Sequence, residues 1–220
     1  MTEQDTNLVP GKQHYAARYV RGGRLFSYAH QMNAVLEHEP RTVLEIGPGP
    51  GMVTAAFRAI GIDVTTVDVQ PQLEPDVVAS VTDLPFEHDS FDVSMCCQVL
   101  EHLPFDQFEP ALKELGRVSR KAVLISLPDA RSYWEVSGRL PGMKRFAFKV
   151  SRQHAIQPER IQRSWLRSGH YWEIGYPEYP IGKIMSAFKQ PELAVKRTWR
   201  PSEMAYHWFV ELAPLAVEHA

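Results

Sequence analysis

Residues 42–54 read Thr42-Val-Leu-Glu-Ile-Gly-Pro-Gly-Pro-Gly-Met-Val-Thr54, and no other stretch constrains the chain as tightly. Val43 to Ile46 is a run short and β-branched enough for a strand covered on both faces. Glycines then alternate at 47, 49 and 51, and a helical pattern resumes at Met52 and continues to Ile60. A strand, a tight glycine turn and a helix make the opening unit of a nucleotide-binding α/β sheet.

The loop's own residues select the kind of nucleotide. A dinucleotide site needs a third glycine at position 52, where helix packs on strand, and free backbone N–H groups to cradle a pyrophosphate. Position 52 is methionine here, and Pro48 and Pro50 each remove an N–H. Glu45 adds a negative charge beside the turn, which repels phosphate and attracts a cation. A ligand with an adenosine, no phosphate, an ammonium and a sulfonium meets all three conditions. S-adenosylmethionine is such a ligand.

Val43-Leu-Glu-Ile-Gly-Pro-Gly-Pro-Gly51, with Val67-Asp68, Asp83-Leu-Pro-Phe86 and Phe91-Asp-Val93 after it, resembles the class I S-adenosylmethionine-dependent methyltransferases, specifically the small methyltransferase type 11 domains. The likeness runs from about residue 41 to residue 128 and is weaker in the tail. It implies a Rossmann-like α/β sheet of seven mostly parallel strands in the order 3-2-1-4-5-7-6, the last antiparallel, with helices on both faces. It also implies an in-line methyl transfer, with S-adenosyl-L-methionine as cofactor.

The same resemblance distributes roles along the chain. Glu45 goes to the cofactor's amino-acid end, and Ile46, Gly47, Gly49 and Gly51 to close backbone approach. Asp68, with Val69, goes to the ribose; an acid at the carboxyl end of a second parallel strand has that place in dinucleotide folds as well. Thr82, Asp83 and Leu84 go to the adenine, and Gln98 and Val99 to the pocket wall between cofactor and acceptor. Tyr15 and Tyr19, on a predicted helix before Gly22-Gly23, either line the pocket or simply pack on the sheet.

His102, in Gln98-Val-Leu-Glu-His-Leu-Pro104, follows the carboxyl end of a predicted fourth strand, where ligands of open α/β sheets bind. An imidazole with a pKa near 6.5 can take an acceptor's proton. Many methyl transfers rest instead on positioning. His102 is therefore a candidate general base, or else a pocket or helix-capping residue.

The chain's 220 residues suffice for one domain with a substantial core. Residues 1–11 read as a disordered arm, 12–40 as helices, and about 130–170 as a cap inserted after the fifth strand. No apolar run reaches the roughly 20 residues of a membrane span, and the polar start lacks a signal-peptide pattern. The expectation is a cytoplasmic protein. Adjacent Cys96 and Cys97 point to opposite faces of a strand, which leaves neither a disulfide framework nor a zinc site built on them. No metal is expected from the sequence, and both thiols read as structural.

Between positions 129 and 170 nine lysines and arginines face three acids, so that segment is +6 and the remainder −8 in a chain of net charge −2. Tyr133 and Trp134 precede Arg145 and Lys149 there, and 157–167 looks helical. Three readings compete: a cap over the acceptor pocket, a patch for an anionic membrane, and a nucleic-acid contact. Departure from a strand's carboxyl end favours the cap, with Tyr133, Trp134 and Arg145 toward a small-molecule or lipid-like, acidic acceptor. His170, in the return segment His170-Tyr-Trp-Glu-Ile-Gly175, is a further acceptor-side candidate. Two rivals stand beside this reading: a non-catalytic cofactor-binding domain, and a nicotinamide-dependent oxidoreductase that Met52 and the loop prolines oppose.

Overall fold

The computed structural model describes residues 17–138, 142, 146–152, 154 and 156–215. In chain order its helices are α1 (Gly23–Leu36), α2 (Met52–Ala59), α3 (Phe108–Arg117), α4 (Pro158–Ser168) and α5 (Ile181–Ala187). Its strands are β1 (Thr42–Ile46), β2 (Asp63–Asp68), β3 (Val77–Val78), β4 (Phe91–Cys97), β5 (Ser119–Pro128), β6 (Ser132–Gly138), β7 (Phe146–Arg152), β8 (Leu193–Trp199) and β9 (His207–Pro214). Seven form one sheet in the order β3-β2-β1-β4-β5-β9-β8. The pairs from β3 to β5 are parallel, and β9 is antiparallel to both β5 and β8. This is the predicted order; the two strands of the insertion shift the final numbers.

Residue alternation along the strands divides the core between two faces. Leu44, Ile46, Val67, Cys96, Val123 and Ile125 pack with Phe108, Leu112, Leu115, Trp172 and Phe188 on one side. Val43, Val64, Val93, Met95, Leu124 and Phe209 meet Ala34, Val35, Val53 and Phe57 on the other. Each fully buried side chain of this size stabilises the fold by about 1.5–3 kcal/mol. Both faces are dry, which is why the parallel strands read as continuous apolar runs. Cys96 is buried and Cys97 half-buried, on opposite faces, and burial pushes the Cys97 thiol up to about 12 and that of Cys96 well above its ordinary value.

Some elements are short. The third strand is only Val77–Val78. Asp76 instead accepts hydrogen bonds from the N–H and hydroxyl of Thr66, and Ser80 closes a turn onto the Asp83 N–H. Helix α5 ends at Ala187, whose carbonyl accepts from the Gln190 side chain. Of the first predicted helix only Ala17–Val20 is described, as a 3₁₀ turn; Tyr15 and the arm over 1–11 lie outside the described residues.

The insertion is a β6–β7 antiparallel hairpin followed by α4. Arg200 docks the hairpin. Its guanidinium lies 4.8 Å over the Tyr133 ring, donates to the Ser151 hydroxyl and pairs with buried Asp129 at 3.2 Å.

Candidate active site

The parallel strands β1, β2 and β4 end on one edge of the sheet, and the turns that follow them meet there. Gly47 leaves β1 with φ at +65° and donates its N–H to the Val67 carbonyl. A Cβ added at Gly47 would stand 2.4 Å from Val99 Cγ2, well inside contact distance. Glycine is therefore required twice at this position, for its left-handed backbone and for the approach of the loop after β4.

Two carboxylates flank the turn. Glu45 is buried, accepts from the Thr54 hydroxyl of α2, and is pushed up to about 7, chiefly by burial, with Thr54 and Arg58 opposing. Asp68 ends β2, accepts the Gln70 N–H at 2.9 Å, and is also raised by burial against the pull of the Gln70 and Val69 N–H groups. Buried acids that neutralise easily favour a ligand carrying its own positive charge. The residues present therefore fit an adenosyl sulfonium: a turn that a single Cβ would block, and acids at the ends of β1 and β2 in place of phosphate-binding donors. Met52 stands exposed at the start of α2.

The other candidates fall around this edge in different ways. Ile46 is buried in the core, whereas Val69 is exposed just beyond Asp68. Thr82 is half-buried against the Ser80 hydroxyl, and Asp83 is exposed. Leu84 buries its side chain, and its N–H donates to Glu114 Oε2 at 2.9 Å. Arg117 donates to the carbonyls of Leu84 and Phe86 and forks onto Glu114, so α3 clamps the 84–86 loop from below. Sequence reasoning missed this pair; its only trace is the i,i+3 spacing of opposite charges. Tyr19 is partly buried with the Arg24 guanidinium 4.1 Å over its ring.

Gln98 has φ at +58°, an uncommon value for a residue with a side chain, and its amide reaches the Ser126 hydroxyl at 3.3 Å. Backbone held in this region gathers at ligand sites. One turn on, Glu101 is fully buried, neither carboxylate oxygen has a hydrogen-bond partner, and burial raises it to about 7, with His170 opposing. The exposed ring of His102 stands 4.9 Å from that of His170, edge to face. His170 Nδ1 meets Glu173 Oε1 at 2.9 Å, and Glu173 also accepts from Ser164 of α4. Burial lowers the His170 pKa, yet the Glu173 bond and the nearby Glu101 charge raise it further than burial lowers it. Glu101, Glu173 and Arg117 were not singled out from sequence, because a charged residue is expected outside.

On the far side of Glu173, Arg160, Arg163 and Arg167 of α4 line a cleft of about 400 Å³ together with Tyr176 and Tyr206. Tyr133 donates to Glu135 and carries Arg200, which makes it part of the hairpin's docking. Trp134 is 72% exposed on the hairpin's outer face. Arg145 lies outside the described residues.

Comparison with known proteins accounts for the part of the chain that carries the turn. Residues 44–126 match the family model described as a methyltransferase domain. An uncharacterized methyltransferase of Mycobacterium sp. (strain KMS) is 31% identical over 54% of this chain and 53% of its own length, so the chain spans about half of that relative. The N-methyltransferase NodS of Bradyrhizobium japonicum WM9, solved with S-adenosyl-L-homocysteine, superposes with a TM-score of 0.62 at 11% identity, covering 98% of this chain and 100% of that one. The 1,6-didemethyltoxoflavin-N1-methyltransferase of Burkholderia thailandensis gives 0.61 at 15% identity, covering 97% and 88%. At such identities the solved structures share the fold. With the strand order, the glycine turn and the matched segment in agreement, the chain has the fold of the class I S-adenosylmethionine-dependent methyltransferases, and residues 44–126 match their methyltransferase domain.

Proposed function

We propose that the chain transfers a methyl group from S-adenosylmethionine to a small-molecule acceptor bearing an anionic group. The observation that carries this is the Gly47 turn, closed by Val99 to a spacing that admits no side chain, with Glu45 and Asp68 buried at its flanks. When bound, the sulfonium supplies a methyl group already activated for displacement. Glu45 takes the cofactor's amino-acid end, Asp68 the ribose, and the 82–84 loop the adenine. Gln98 and Val99 form the wall that faces the transferred carbon. What these residues supply is orientation and exclusion of water more than acid or base. His102 is placed on the acceptor side, where it can take up a proton.

The acceptor's anionic character rests on the arginine-lined cleft beneath α4, which meets the site through Glu173. Calorimetric titration with S-adenosylhomocysteine tests the cofactor half: binding by wild type and its loss in Asp68→Ala support it, and no heat with either cofactor form overturns it. Incubation with carboxylate-bearing and phenolic acceptors tests turnover. Cofactor binding with no methylated product from any acceptor would favour the non-catalytic domain instead.

A second reading concerns where the acceptor is met. Trp134 pairs across the hairpin with Val150, and Val136 with Phe148, all four exposed, among the basic residues of the segment. Such a strip beside positive charge suits an anionic lipid surface. Co-flotation with phosphatidylglycerol vesicles, reduced by salt and by Trp134→Ser, is the expected result.

A further inference from the structure

We propose that Glu101, His102 and His170 form a site for a divalent metal ion of the zinc class, whose open position takes an ionisable oxygen of the acceptor. Only the last clause rests on the methyl-transfer reading. One ligand atom from each of the three residues lies within 4.8 Å of the others. Three ligands about 2.1 Å from a tetrahedral ion stand about 3.4 Å from one another. Closing the ring therefore draws the widest pair together by up to about 1.4 Å, a distance that side-chain rotation covers.

The second observation is Glu101 itself. Its carboxyl group is fully enclosed, yet neither oxygen has a hydrogen-bond partner among the described residues. A buried carboxylate left in this state destabilises the fold by several kcal/mol unless something compensates it. A cation between the two imidazoles would do so. The third observation is the outer side of His170. Its Nδ1 is engaged by Glu173, which is fixed in turn by Ser164, so Nε2 is the nitrogen left to bind. A carboxylate behind a histidine is the usual way to orient a metal ligand.

Two imidazoles and one carboxylate select zinc or a neighbouring transition metal over calcium and magnesium, which prefer oxygen alone. Three protein ligands leave a position open, as in catalytic zinc sites. An acceptor hydroxyl bound there loses its proton to solvent more readily. The oxygen's lone pair then forms the C–O bond while the C–S bond breaks and its electron pair remains on sulfur, giving S-adenosylhomocysteine.

The test uses tag-free protein stripped with a chelator and titrated with Co²⁺, then Zn²⁺. One ion per chain is expected, with visible d–d absorption, displacement by Zn²⁺, and no thiolate charge-transfer band. Glu101→Gln and His170→Gln should each weaken binding by about 100-fold or more, and Glu173→Gln, which touches no metal, by about 10- to 100-fold. If one variant does not fold, the others supply the same comparison. Uptake by wild type no greater than by Glu101→Gln, or a thiolate band assigning the ion to cysteine, overturns the proposal. S-adenosylhomocysteine affinity is read on the same samples, so cofactor binding without metal uptake sinks this site alone and leaves the methyl-transfer reading in place.

Discussion

In the function proposed above, Gly47 and Glu45 carry most of what the cofactor turn requires, and each makes its own prediction. Alanine at 47 would hold a left-handed backbone, costing about 1–2 kcal/mol, and would press its Cβ on Val99. Gly47→Ala is expected to lower unfolding free energy by about 1–3 kcal/mol and to weaken S-adenosylhomocysteine binding at least tenfold in calorimetry. Adding Val99→Ala should return only the steric part, so a double mutant as poor as the single would mean the contact carries no weight. Glu45, raised to about 7 by burial, is half protonated near neutrality. A cationic cofactor favours its ionised form, so binding expels a proton. Affinity for S-adenosylmethionine should rise up to tenfold per pH unit from about 5.5 to 7 and then level. Glu45→Gln should give a flat profile, and identical profiles for both proteins would dismiss the role.

At the scale of elements, α3 reaches the 84–86 loop through two side chains. Arg117 and Glu114 engage three backbone groups of the 84–86 loop, a geometry that needs a planar fork. Arg117→Lys is expected to cost about 1–2 kcal/mol of stability and to raise the dissociation constant for S-adenosylhomocysteine severalfold. Affinity for 5′-methylthioadenosine, which retains the adenine and ribose, should fall in parallel; an unchanged value for it would show that the clamp does not act on the loop. This arrangement also shows what the sequence could reveal. The parallel strands were legible because burial on both faces leaves unbroken apolar runs such as Val43 to Ile46. The hairpin was not, since Trp134, Val136, Phe148 and Val150 face outward and alternate with charges that read as a solvated loop. Glu101 was hidden for the opposite reason: its type signals surface, and only the return of residues 170–173 over the 98–104 turn encloses it.

The whole molecule is closed by contacts between its beginning and its end. Ser27 of α1 hydrogen-bonds His207 Nδ1 of β9 at 2.7 Å, His38 meets Glu211 at 3.1 Å, and Arg197 bridges Glu37 and Glu211. His207 is the member of this closure most sensitive to acid. Burial, helped by the positive charges of Arg24 and His170, lowers its pKa to about 3, far below the 6.5 of an exposed imidazole. Between those values the unfolded chain binds a proton that the folded chain refuses, so stability is full above pH 6.5 and is lost as pH falls toward 3. The slope from one such group approaches 1.4 kcal/mol per pH unit. Urea unfolding of wild type and His207→Gln at pH 8, 6, 5 and 4 should therefore converge: the variant begins weaker at pH 8 because packing is lost, and declines less steeply below 6.5 because this proton no longer counts. Two parallel curves would show that the ring accepts its proton in the folded state.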